Sequence, residues 1–193
     1  MGNFQLYFEI GFKHIANWGA LDHILFMAAL ALRYQFSDWK KLLLLVTAFT
    51  IGHCITLALA VFNIVHLPSR WIEFFIALTI VITSFSNLFV KKFNYRNRFP
   101  AIYFFALFFG LIHGLGFANK FVAIEGKGLT TALNLLYANL GIEVAQLAVV
   151  AIILIISIIC LNIIKLNRRE YLLFTSGVIF GIALQMTLAR LPF

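Results

Sequence analysis

Six residues of this 193-residue sequence are suited to binding a metal ion: His14, Asp22, His23, His53, His113 and Glu143. Each lies in, or at the edge of, a stretch that is otherwise almost wholly apolar. Imidazole and carboxylate together suit a borderline divalent ion such as nickel, cobalt, zinc or copper, and no thiolate or thioether cluster points to copper(I). An imidazole binds metal only when neutral, and its second ring nitrogen needs a hydrogen-bonding partner. Thr50, Asn139 and Gln146 are candidates for that supporting role. Thr50 lies one turn before His53, while Asn139, Glu143 and Gln146 follow an i, i+4, i+7 spacing that places them on one helix face.

The elements that must position these residues follow from composition. The chain is 63% apolar and 11% charged, with a mean hydropathy of +0.98, far from the averages of a soluble domain and natural only in a bilayer. Apolar stretches at 42–65, 71–90, 101–121, 131–161 and 171–188 are each long enough to cross about 30 Å of hydrocarbon. A first stretch, 14–34, is different. Its uninterrupted apolar run covers only Ile24 to Leu32, so a full span must take in Asp22 and His23. The expectation is therefore an all-α membrane protein. It is a single domain over 1–193, a polytopic bundle of six transmembrane helices with a short interfacial N-terminal segment rich in aromatics (Phe4 to Lys13).

The net charge of +8 is distributed in short clusters between the spans. That pattern belongs to membrane topology rather than to nucleic-acid binding. Arg33, Lys40, Lys41, Lys91, Lys92, Arg96, Arg98, Lys165, Arg168 and Arg169 fall in alternate loops, against Lys13, Arg70, Lys120, Lys127 and Arg190 on the other side. The asymmetry places the first set in the cytoplasm and both termini outside. Cys54 and Cys160 read as buried thiols with no disulfide partner. The first residues lack the basic start and long apolar core of a cleaved leader.

An ionisable side chain at the centre of a bilayer costs about 2.5–3.5 kcal/mol on insertion scales, so each needs a reason to be there. At about 1.5 Å per residue, His53, His113 and Glu143 lie roughly 17–18 Å into their spans and Asp22 roughly 12 Å. Four elements thus bring nitrogen and oxygen ligands to similar depth. Three glycines around His113 (Gly110, Gly114, Gly116) and Gly52 beside His53 favour close helix approach. His14 and His23 are nine residues apart, about 180° around a continuous helix, and could share a site only if the chain breaks at Asn17-Trp18-Gly19. The competing reading is interhelical hydrogen bonding without metal, the role better suited to Asn87 and Gln185.

The strings Gly11-Phe-Lys-His14-Ile, Asp22-His23-Ile-Leu-Phe, Phe49-Thr-Ile-Gly-His53-Cys, Phe109-Gly-Leu-Ile-His113-Gly-Leu-Gly-Phe-Ala118 and Asn139-Leu-Gly-Ile-Glu143-Val-Ala-Gln146 resemble the HupE/UreJ family of bacterial membrane proteins. The resemblance falls in four of the six spans. It implies a nickel permease-like protein of the bacterial inner membrane, with the lipid bilayer and a metal ion (Ni, Co or Zn) as its partners. The family signature is His-x5-Asp-His; here the spacing is His-x7-Asp-His.

Three functions compete on these residues. A metal permease would pass a divalent ion through Asp22, His23, His53, His113 and Glu143, with His14 as a ligand or gate. A zinc-dependent intramembrane hydrolase or acyltransferase-like enzyme would hold zinc with an open position for water and use Glu143 or Asp22 as general base. A bis-histidine haem between His53 and His113 is the third.

Overall fold

The computed structural model describes residues 3–17, 20–90, 101–125 and 130–193. Among these there are seven α-helices and no strand: α1 (Asn3–Ile15), α2 (Leu21–Ala31), α3 (Trp39–Val61), α4 (Ser69–Leu88), α5 (Ile102–Glu125), α6 (Thr131–Ile158) and α7 (Arg168–Ala189). The expected all-α bundle is what is found. Helices α3 to α7 are long and apolar enough to cross a membrane, and they coincide with the five uninterrupted apolar stretches. Their boundaries have local causes. Pro68 precedes the first turn of α4, and Asn167 caps α7 by accepting from the Arg169 backbone N–H at 2.9 Å. Phe104 and Phe174 are about three-quarters exposed (74% and 75%) while His53, His113 and Gln146 are fully buried. That inversion of the soluble pattern suits a lipid surround.

The first stretch does not form one helix. It is divided between the end of α1 and all of α2, with a bend at Ala16–Asn17; Trp18 and Gly19, where the sequence suggests a break, lie outside the described residues, as does the Lys91–Arg98 loop. Tyr7 meets Phe121 at 5.9 Å between ring centroids and His14 meets Phe117 at 4.1 Å, so α1 runs antiparallel to α5. The other end of α2 reaches the end of α4, where Asn87 donates to the Ala29 carbonyl at 2.8 Å. Helices α1 and α2 therefore traverse the bundle as two successive pieces. Apolar packing divides in the same way: Tyr7 and Ile15 of α1 join one cluster with Leu57, Ile76, Phe121 and Ala138, whereas Phe26 and Leu30 of α2 join another with Leu45, Ile80, Val150 and Leu172.

The N-terminal segment forms α1, which packs along α6. It is a helix seated lengthwise in the bundle, because Gly11 and Gly141 let two backbones touch: a Cβ on Gly11 would lie 1.9 Å from the Ala138 carbonyl oxygen, and one on Gly141 2.1 Å from that of Phe8. Chain order then puts the start of α1 and the end of α7 on one side, and Phe193 packs near Trp71 at the start of α4.

Helices α3 and α5 make the most intimate pair. A Cβ on Gly52 would meet the Leu107 carbonyl oxygen at 2.1 Å, one on Gly110 that of Phe49 at 2.1 Å, and one on Gly114 that of His53 at 2.3 Å. All three clashes are with backbone, which cannot rotate aside. Gly110→Ala is therefore expected to force the helices apart at a cost at or above the usual ~1–3 kcal/mol of overpacking. The check is thermal unfolding of the purified protein in detergent: a lowered midpoint is expected for Gly110→Ala, and none for Gly177→Ala, whose Cβ would meet nothing within 4 Å.

Candidate metal centre

The centre is built where the two halves of the first crossing meet. His14 ends α1 and His23 begins α2, so the bend between them turns two imidazoles that a straight helix would oppose toward each other; their centroids are 4.7 Å apart. His53 of α3 completes the group, its ring 6.0 Å from that of His14. One nitrogen from each of His14, His23 and His53 lies within 4.8 Å of the other two. Points so spaced lie within about 2.8 Å of a common centre, against ~2.0–2.1 Å for a metal–imidazole bond.

The close glycine contacts explain the convergence. Gly11, one turn before His14, fixes the height of α1 on α6, and Gly52, adjacent to His53, fixes α3 on α5. Phe117 of α5 stacks on His14 at 4.1 Å with an interplanar angle of 25°, closing the apolar wall.

Whether these residues fit a metal is tested by their hydrogen bonds. Nε2 of His14, Nε2 of His23, and both ring nitrogens of His53 are buried with no hydrogen-bond partner among the described residues. Buried polar atoms left unpaired are rare in folded proteins and costly in a low-dielectric interior. Here they converge. A divalent cation can take one lone pair from each of three neutral imidazoles at once, whereas an N–H···N hydrogen bond joins only two of them.

His113 lies one ring further in. Its ring is 5.0 Å from that of His23 and is packed by Phe26 and Phe49, but it falls outside the three-histidine group. Its Nε2 is 3.1 Å from the Thr79 hydroxyl, which donates to the Ile76 carbonyl at 2.7 Å. A Thr79 proton given to Ile76 leaves Nε2 as the donor to the hydroxyl and a lone pair on Nδ1, which is buried and unpartnered among the described residues.

The two carboxylates are elsewhere. Asp22 accepts from Arg190, the residue capping α7, at 3.0 Å. The reason is helical: adjacent residues project about 100° apart, so Asp22 cannot share the direction of His23. Glu143 is half-buried and accepts from Thr47 at 3.1 Å. Of the supporting residues, Asn139 is beside His53, donates to the Leu135 carbonyl at 3.0 Å, and keeps Oδ1 unpartnered among the described residues. Thr50 and Gln146 bond each other at 2.8 Å instead of an imidazole.

Thr79, Phe117 and Arg190 were not evident as site residues from the sequence. Arg190 reads there only as a terminal basic residue, and Thr79 as one hydroxyl in a hydroxyl-rich span. Asn87 does serve as interhelical glue: it is fully buried, donates to Ala29 and to Ser176 (3.1 Å), and accepts from Arg33.

A search of curated proteins and a search of solved structures each find no match. The family model described as HupE / UreJ protein matches residues 1–190. Almost the whole length is covered, including every helix that contributes to the centre, and the chain belongs to the HupE/UreJ family.

Proposed function

We propose that the protein is a permease for a borderline divalent cation of the nickel/cobalt type, residing in a bacterial inner membrane with both termini outside. The observation that carries the reading is the group of His14, His23 and His53, three imidazoles whose nitrogens lie within 4.8 Å of one another inside a membrane-type bundle. A broken first crossing supports it, because discontinuous helices deliver ligands at mid-membrane in transporters without leaving backbone groups exposed to lipid. Family membership supports the same cargo class. His113, with a free Nδ1 one ring beyond, extends the path past the group and gives the ion a next partner.

The hydrolase reading asks for a carboxylate beside the metal to handle the proton of an attacking water. Glu143 is engaged by Thr47 and Asp22 by Arg190, and neither is in the group. This arrangement favours transport.

The test is uptake by proteoliposomes carrying an internal chelating dye. Wild-type protein should admit Ni²⁺ or Co²⁺ above the rate of empty vesicles, and His23→Ala should abolish the excess while remaining monodisperse in detergent. Uptake equal to that of empty vesicles for Ni²⁺, Co²⁺ and Zn²⁺ alike would contradict the proposal.

A further inference from the structure

We infer that a second, oxygen-lined cation station lies on the seam between α3 and α6, formed by the Gln146 amide carbonyl and the Glu143 carboxylate, and that the ion passes through it on leaving the histidine group. The inference rests on the permease reading and adds the route of release.

The seam is a polar stripe shared by two helices. From α3 it takes Thr50 and Thr47, successive turns away from His53, and from α6 it takes Asn139, Glu143 and Gln146. Asn139 stands beside His53; Thr47 bonds Glu143 at 3.1 Å and Thr50 bonds Gln146 at 2.8 Å. Along α3, lower residue numbers lead toward the loop bearing Arg33, Lys40 and Lys41, so the stripe runs from the histidines toward the side that the basic residues mark as cytoplasmic.

Proton accounting identifies the free oxygen. The Thr50 hydroxyl is 3.0 Å from the Val46 carbonyl and 2.8 Å from Gln146 Oε1, yet it has one proton and cannot donate to both. Nε2 of Gln146, meanwhile, is buried with no partner among the described residues, leaving two donors unpaired in a fully buried side chain. Turning the amide by 180° resolves the conflict: the amide N–H donates to the Thr50 oxygen, Thr50 donates to Val46, and one donor instead of two is left over. The two orientations of the amide fill the same space, so its hydrogen bonds decide between them. The carbonyl oxygen then occupies the unpartnered, solvent-free position, one turn along α6 from Glu143 on the face toward α3. An amide carbonyl and a carboxylate with no basic partner in the seam are hard oxygen ligands that a divalent cation can use.

The chemistry suits release. A borderline divalent ion is held more tightly by several imidazoles than by a few oxygens, and conduction needs sites that are entered favourably and left easily. A weaker oxygen station beyond the histidines lets the ion step down in affinity instead of remaining trapped.

The experiment compares wild type with Gln146→Leu, Gln146→Glu, Glu143→Gln and, as control, His53→Ala. Ni²⁺ binding is measured by titration calorimetry in detergent, and Ni²⁺ uptake in proteoliposomes. Gln146→Leu and Glu143→Gln should bind Ni²⁺ at the histidine group as wild type does, while maximal uptake falls about 10- to 100-fold, the range seen when a group supporting metal handling is lost. Gln146→Glu should retain uptake, because it keeps an oxygen ligand while losing the N–H that a purely structural bond to Thr50 requires, whereas Glu143→Gln gives up the negative charge that holds the cation at the station. Loss of high-affinity binding in Gln146→Leu, in protein whose melting temperature is unchanged, would overturn the separate station by placing Gln146 in the histidine group. Unchanged uptake in both Gln146→Leu and Glu143→Gln would overturn it as well, and so would loss of uptake in Gln146→Glu equal to that of Gln146→Leu. If wild type and His53→Ala are alike in binding nothing, the permease reading itself has failed and the station falls with it.

Discussion

His53→Ala is expected to reduce Ni²⁺ affinity by more than about 100-fold, beyond the 10- to 100-fold cost of losing a group that merely orients a ligand. His53 is fully buried on the most closely packed helix pair of the bundle, and both of its ring nitrogens are unpartnered among the described residues. Among the described residues its ring makes no close hydrogen bond, Asn139 only standing beside it, so the protein should remain folded and monodisperse while losing metal. Truncation leaves a gap beside Phe49 and Phe117, whose rings pack against it, and a modest drop in thermal stability should follow. A substitution acting only through packing would lower stability and leave affinity alone. Calorimetric titration beside a melting curve separates the two.

Gly11→Leu should have the second-largest effect, through position rather than ligation. Any Cβ there would lie 1.9 Å from the Ala138 carbonyl oxygen and 2.7 Å from its carbon, so α1 must lift away from α6. His14 is one turn further along α1 and moves with it. The expected result is metal affinity as low as that of His14→Ala, and no further loss when both substitutions are combined, since a displaced ligand and a deleted one are equivalent to the ion. Helices α3 to α7 pack without Gly11, so the remaining bundle should survive. Affinities that fall additively in the double variant would show that Gly11 acts on something other than His14.

Much of this was legible in the sequence, and the reasons for the remainder are specific. The five long spans could be read from apolar runs because about 20 residues of hydrophobic sequence have few other homes. The first crossing was harder: an apolar run of nine residues gave no sign that residues 3–15 supply the missing half, because α1 carries Glu9 and Lys13 among its aromatics and buries only the short stripe Tyr7, Gly11 and Ile15. The break could be located from the sequence, since only a bend near Asn17 lets His14 and His23 face one point. Depth estimates put Asp22 and Glu143 at a height similar to that of the histidines but carry no information about direction around the helix axis. Asp22 is turned about 100° from His23 and found Arg190, a residue 168 positions away that no local pattern links to it. Glu143, between Asn139 and Gln146, sits about 40° to one side of the ridge on a helix of 3.6 residues per turn and reaches Thr47 instead of the histidines.

The central claim is that His14, His23 and His53 together hold one divalent cation. X-ray absorption spectroscopy on Ni²⁺-loaded, detergent-purified protein measures this directly, with metal content determined on the same sample. The account predicts one ion per chain with at least three imidazole nitrogens at about 2.0–2.1 Å, and loss of one imidazole from the spectrum in His14→Ala. A protein that retains no ion above background, or an ion surrounded by oxygen alone, would contradict it.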